Sequence, residues 1–281
     1  MNPFLKRFAT DIPLMSAEYF AALMAFDLTV DDLRLAEHPA LAKFKRDLAP
    51  RCIMRGDVAI CPVQGALAHR PDAMEMAFDG VEDSENVVQM LHGAAVNPNV
   101  KGVLLRMDTP GGMLLGGPEI ADKVAEIRQS KPVVCHVGGM GASLGYMIAS
   151  QCDEIVANRS SITGSVGVIA SIPDYTGYLA KMGIRVDTFK NADAKFKGAG
   201  ALGTSLSDDQ RANIQSQIES AFAMFKGMVL RARPWVKSDA MQGQTFRGEE
   251  AKDIGLVDRL GDENFALDVL RRRIGTNLSN T

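Results

Sequence analysis

From Val58 onward the chain alternates short apolar runs with helix-patterned stretches, and this alternation restricts its fold more than any other feature. Residues 58–63 read as a strand, with Pro62 marking its end or a sheet edge. Asp83 or Ser84 can cap a helix carrying Val87, Leu91 and Ala95 four apart, which stops at Asn97-Pro98. Residues 100–107 form a second apolar strand, and a helix with Ile120, Val124 and Ile127 on one face leads to a third strand at 132–137. Strand and helix in turn, with short connections, specify a parallel sheet with right-handed crossovers. The rhythm continues through strands at 153–157 and 184–189, a glycine-broken turn at 161–171 entering a further strand, and a helix at 173–182. Residues 190–206 are a loop by composition, after which Ser207-Asp208-Asp209 cap a long helix with Ile214, Ile218, Phe222 and Phe225 at helical spacing.

The partition is a helical N-terminal extension over 1–54 and one α/β domain over 55–281. Within the extension, Ser16 can cap a segment whose Tyr19, Phe20, Leu23 and Met24 share a face. The stretch 68–80, with Met74, Met76 and Phe78, has no clear period; it reads as a mobile loop or as an adaptable apolar wall for peptide side chains. A formal net charge of −3 lacks the basic excess of a general nucleic-acid binder. Cys52, Cys61, Cys135 and Cys152 form no CxxC pair, so inert buried thiols in a reducing compartment are expected. The four histidines show no metal-ligand spacing, and neither metal nor cofactor is expected. No apolar run reaches the length of a membrane span, and the N-terminus lacks the apolar core of a signal peptide, so a cytoplasmic protein without a membrane anchor is expected.

Chemistry concentrates at Gly138-Gly139-Met140-Gly141-Ala142-Ser143-Leu144-Gly145-Tyr146, where an apolar strand meets a helix. A serine at such a glycine-lined junction is placed for an exposed, activated hydroxyl, although many glycine turns bind phosphate or only reverse the chain. A serine nucleophile needs a base. His136 sits inside the apolar strand and reads as structural; the alternative is a lysine among Lys190, Lys195 and Lys197. A lysine base must lose about three pKa units, roughly 4 kcal/mol, which burial against apolar groups can supply. Oxyanion donors can come from the N–H of Leu144 and from Gly111 or Gly112 in the turn after strand 100–107.

Five segments together resemble the signal peptide peptidase A (protease IV) family of serine peptidases. Met107-Asp108-Thr109-Pro110-Gly111-Gly112 is similar to the family's oxyanion turn, and Gly139 to Tyr146 resembles its nucleophile segment. Thr163-Gly164-Ser165-Val166-Gly167-Val168 is similar to its Thr-Gly-Ser turn, whose serine orients the catalytic lysine. Lys195 falls where the family's general base stands, with Lys197 as a rival, and Gly248 to Asp258 resembles its closing segment. One departure is Ser143-Leu144-Gly145 where the family often has Ser-Gly-Gly; the leucine N–H remains available, but the nearby substrate pocket is expected to differ.

The resemblance implies a Clp-protease/crotonase-like ββα superhelix and a Ser–Lys endopeptidase. Ser143 is then the nucleophile, Lys195 the base and Ser165 its orienting partner, with Gly111 or Gly112 and Leu144 as the oxyanion hole. The layout looks most like the phage prohead proteases of this family, implying scaffold, portal or coat protein as substrate, a homo-oligomer, and a place in the host cytoplasm or procapsid. The alternatives are a cytoplasmic bacterial peptidase of the same family, a crotonase-type acyl-CoA enzyme, a Clp-like peptidase using His136, and a non-enzymatic assembly protein.

Overall fold

The computed structural model describes residues 51–72, 75–76 and 79–279, with side chains up to residue 275. The expected helices of the N-terminal extension up to residue 50, together with Met74 and Phe78, lie outside the described residues.

Among the described residues, ten strands and seven α-helices follow in the order β1 (Ile53–Arg55), β2 (Val58–Gln64), β3 (Ala66–Ala68), β4 (Val81–Asp83), α1 (Ser84–Val96), β5 (Gly102–Thr109), α2 (Gly117–Ile127), β6 (Val133–Ala142), α3 (Leu144–Ala149), β7 (Glu154–Ala157), β8 (Ile162–Gly164), α4 (Thr176–Lys181), α5 (Asp208–Ala232), β9 (Thr245–Arg247), α6 (Gly248–Asp253), β10 (Arg259–Leu260) and α7 (Glu263–Ser279). The main sheet runs β1-β2-β5-β6-β7-β10. Every neighbour along it is parallel except β1 on β2. The parallel α/β architecture expected from the alternation is the one observed.

Parallel sheets are covered on both faces, and the strands here are apolar almost without interruption. Ala59, Cys61, Val63, Val103, Leu105, Met107, Val133, Cys135 and Val137 join α1, α2 and α3 in one core. The alternate positions Val58, Ile60, Leu104, Val134 and Val156 pack instead on Ala266, Leu267, Leu270 and Ile274 of α7. Pro62 is consistent with an edge: β1 pairs only Val58–Ile60, so β2 is open on that side where the proline lacks a donor.

β6 positions the site. Its first half pairs with β7, Val134 to Val137 against Glu154 to Ala157, and its second half pairs with β8, Met140 to Ala142 against Ile162 to Gly164. The glycines expected as a turn therefore belong to a strand that runs to Ala142, directly before Ser143.

Two further expectations are corrected. Residues 184–189 form no strand: the segment is exposed throughout, and its apolar alternation finds no sheet edge among the described residues. Cys52 and Cys61 are not free thiols but form a disulfide, with Cα atoms 4.4 Å apart. Antiparallel pairing of Ile53 with Ile60 brings the two cysteines opposite each other, a proximity hidden in their linear spacing. Cys135 and Cys152 are buried and unbridged, as expected. The disulfide closes a loop with a sequence separation of nine. Alanine at both positions is expected to lower the unfolding free energy by about 2–3 kcal/mol. The urea midpoint of the oxidised protein measures this, and reductant should move wild type to the same midpoint.

Candidate active site

Ser143 stands between β6 and α3 with φ 53° and ψ −123°. A residue with a Cβ rarely adopts such angles, which cost about 1–3 kcal/mol and persist only where the surroundings impose them. Here they are imposed by two backbone hydrogen bonds, Ser143 N–H to the Gly164 carbonyl at 2.9 Å and Met147 N–H to the Ser143 carbonyl at 3.0 Å. Among the described residues three non-glycines have positive φ, namely Arg70, Ser143 and Ser165. Two of the three are thus the serines singled out by sequence. The β6–β8 register, Ala142 against Gly164, makes them the next residues out on neighbouring strands.

The Pro110-Gly111-Gly112 turn meets Ser143 directly. A Cβ built on Gly111 would lie 2.7 Å from Ser143 Cβ and 2.9 Å from the Leu144 nitrogen, and the residue has φ 102°. Only a glycine fits this approach. The turn leaves β5 through an irregularity between Met107 and Thr109. Asp108 Oδ1 accepts the Met140 N–H at 2.9 Å there, tying the end of β5 to β6.

Buried Thr109 decides which glycine can donate. Its Oγ1 donates to the Gly65 carbonyl and accepts the Gly111 N–H at 3.0 Å. The Gly111 amide is therefore engaged. Gly112 bridges Leu67 of β3 through its neighbours, by Leu67 N–H to the Gly111 carbonyl and Met113 N–H to the Leu67 carbonyl, both 2.8 Å. That pattern leaves the N–H of exposed Gly112 without a protein acceptor among the described residues, as is the N–H of Leu144. Gly112 and Leu144 are the two open amides beside Ser143. Thr109 carried no assignment from sequence, although it lies inside the quoted Asp-Thr-Pro-Gly-Gly turn.

A methyl at Gly111 tests this packing. Gly111→Ala is expected to reduce turnover of a peptide substrate by about 10²–10³-fold, the range for loss of one oxyanion donor. Steady-state rates measure it, with circular dichroism to show that the sheet is intact.

Leu144 is 3% exposed and belongs to the core. Across β3 from Gly112, Glu82 faces Leu67 in register, and burial raises its carboxyl to about 7.

His136 behaves as the structural histidine expected. It is buried on β6, with Nε2 3.3 Å from Asn158 Oδ1, while the Asn158 amide donates to the Gly138 carbonyl at 2.9 Å. The closing segment acts from below: the buried Tyr146 hydroxyl of α3 donates to the Leu256 carbonyl at 3.0 Å. Asp258 accepts from buried Arg233 at 2.6 Å and from the Ile155 N–H at 2.7 Å. Removing the half-buried Asp258 carboxylate would leave the buried Arg233 charge uncompensated.

Lys195 is not brought to this cluster. It is 60% exposed, its Nζ lies 3.1 Å from Asp209 Oδ2 and 4.8 Å from the Phe196 ring centroid, and it bonds to neither serine. Lys197 is exposed on the same segment. Ser143, Ser165, Leu144, Gly111 and Gly112 are therefore assembled, while Lys195 is left on an exposed arm.

The profile of peptidase family S49 matches residues 125–277, more than half of the chain. The chain belongs to peptidase family S49. This S49 chain is 32% identical to capsid assembly protease C of Escherichia phage lambda over 78% of its own length and 49% of that protein's. It is 30% identical to a head-tail preconnector protein of Enterobacteria phage P21, over 79% and 44% of the two chains. It is also 30% identical to protease 4 of Haemophilus influenzae, over 68% and 32%. It thus spans about half the length, or less, of these relatives. A solved enoyl-CoA hydratase/isomerase family member aligns with a TM-score of 0.42 at 16% identity, over 82% of this chain and 75% of that one. Among the described residues no helix is long and apolar enough to cross a membrane, and no group of three or more His, Cys, Asp or Glu is placed to hold a metal ion.

Proposed function

We propose that the protein is a serine endopeptidase in which Ser143 is the nucleophile and Lys195 the general base. The carrying observation is the imposed conformation of Ser143 at the end of β6, with the Leu144 amide beside it and the Gly111 Cα against its Cβ. Ser143 Oγ attacks the scissile carbonyl as Lys195 Nζ takes its proton. The tetrahedral oxyanion then accepts from the Leu144 and Gly112 N–H groups. Lys195 returns the proton to the leaving amine, and water hydrolyses the acyl-enzyme by the same route. Ser165, one residue beyond the Gly164 carbonyl that holds Ser143, orients the lysine by hydrogen bonding.

A lysine acting as base must be desolvated, and Lys195 in the single chain is solvated and ion-paired. The arm that carries it exposes Ile169 (90%) and Phe189 (93%), with Tyr178, Met182, Ile184 and Leu202 also open. Monomeric proteins rarely leave such a surface to water. We infer a homo-oligomer in which a second copy covers this arm and buries the lysine. Specific activity should then rise with protein concentration, in step with the oligomer seen by sedimentation.

For substrate, the phage relatives favour scaffold, portal or coat protein processed in the host cytoplasm or procapsid. The test is co-expression with those proteins from the encoding genome, with and without Ser143→Ala. Shortened products that depend on Ser143 support the reading. Cleavage of unfolded casein alone favours a bacterial peptidase role. Labelling of Ser143 by a fluorophosphonate separates either from an acyl-CoA enzyme, which does not need the serine.

A further inference from the structure

We propose that Gly117, at the start of α2, is a positioning residue for the oxyanion hole. It acts by leaving the notch that holds the Leu144 side chain and so aims the Leu144 N–H. The inference rests on the peptidase reading above.

A Cβ built on Gly117 would lie 2.4 Å and 2.8 Å from the two Leu144 methyl carbons and 3.2 Å from its Cγ. The backbone on the Gly117 side is held: Gly116 is the N-cap with φ 82°, and the Gly117 N–H donates to the Leu114 carbonyl at 3.0 Å. Ile120, Ala121 and Val124 of the same helix are fully buried in the core that also contains Leu144. A methyl at 117 therefore displaces the leucine rather than the helix. Leu144 has little room to turn aside, because it is buried and begins α3 directly after the constrained Ser143. Its nitrogen also faces Gly111, whose imagined Cβ would lie 2.9 Å away. Leu144 is thus clasped by two glycines, Gly111 against its amide and Gly117 against its side chain. A shift at one end is carried to the donor at the other. Backbone displacements well under an ångström matter for a donor that must meet the oxyanion at hydrogen-bond distance. The leucine that departs from the common Ser-Gly-Gly pattern is, on this reading, matched by a missing side chain 27 residues earlier.

The experiment is a double-mutant cycle on the full chain with a fluorogenic peptide or casein. Gly117→Ala is expected to lower kcat about 10-fold or more with KM changed less than about 3-fold, the split expected when a transition-state contact is lost. In a Leu144→Gly background, whatever its own rate, adding Gly117→Ala should cause no further fall, because the methyl then meets nothing. Gly93→Ala, in α1 where a Cβ would have no neighbour within 4 Å, is the control and should leave kcat unchanged. Wild-type kcat in Gly117→Ala, or an equal fall in both backgrounds, overturns the inference while Ser143-dependent cleavage by wild type keeps the peptidase reading. Failure of wild type to cleave or to react with a fluorophosphonate overturns both.

Discussion

Ser143→Ala is expected to reduce peptide cleavage by at least about 10³-fold and to abolish fluorophosphonate labelling, since residual catalysis comes only from binding and the oxyanion donors. The fold should survive. Alanine keeps the Cβ, so the cost of φ 53° is unchanged, and both hydrogen bonds that impose the angle use the backbone of residue 143. No hydrogen bond of the Ser143 hydroxyl to another described residue is lost with it. Thermal unfolding within a few degrees of wild type, alongside lost turnover, is the expected pair of results. Retained cleavage removes the serine mechanism, and a large fall in thermal stability makes the loss of activity uninformative about chemistry.

Lys195→Ala is expected to cost at least about 10³-fold in kcat/KM, because a serine hydroxyl without a base is a poor nucleophile. Lys195→Arg should not restore the rate, since guanidinium does not deprotonate in a protein. Lys197→Ala should stay close to wild type. Loss in Lys197→Ala with wild-type rates in Lys195→Ala moves the base two residues along the arm. Burial raises the Glu82 carboxyl to about 7, so any limb of kcat/KM near pH 7 that disappears in Glu82→Gln belongs to that carboxyl.

How much of this was legible beforehand differs from element to element. α1, with its Asp83 cap and its end before Pro98, and α5, with the Ser207 capping box, appeared where local rules put them. Their signals lie within a few residues of each other in the chain. The expected strand at 184–189 did not form, because a strand needs a partner edge and apolar alternation alone cannot supply one. The disulfide between Cys52 and Cys61 escaped for a similar reason: a hairpin register, not cysteine spacing, brings them together.

At the site, the sequence by itself determined which residue types were available and in what order: a serine after glycines, a Pro-Gly-Gly turn, a second serine and a lysine further on. Short-range chemistry writes such information into adjacent residues, and it was enough to reach the peptidase family. Only the tertiary structure decided which amide of the turn stays open, because the Gly111 N–H is taken by Thr109 Oγ1 and the Gly112 N–H is not. Only it showed Leu144 to be a core residue, since its packing depends on the gap at Gly117 in another helix. The nucleophile stretch from Gly138 to Tyr146 is readable because its function is local. The open amides beside it and the setting of Lys195 are not, because they depend on which distant backbone segments pack against each other.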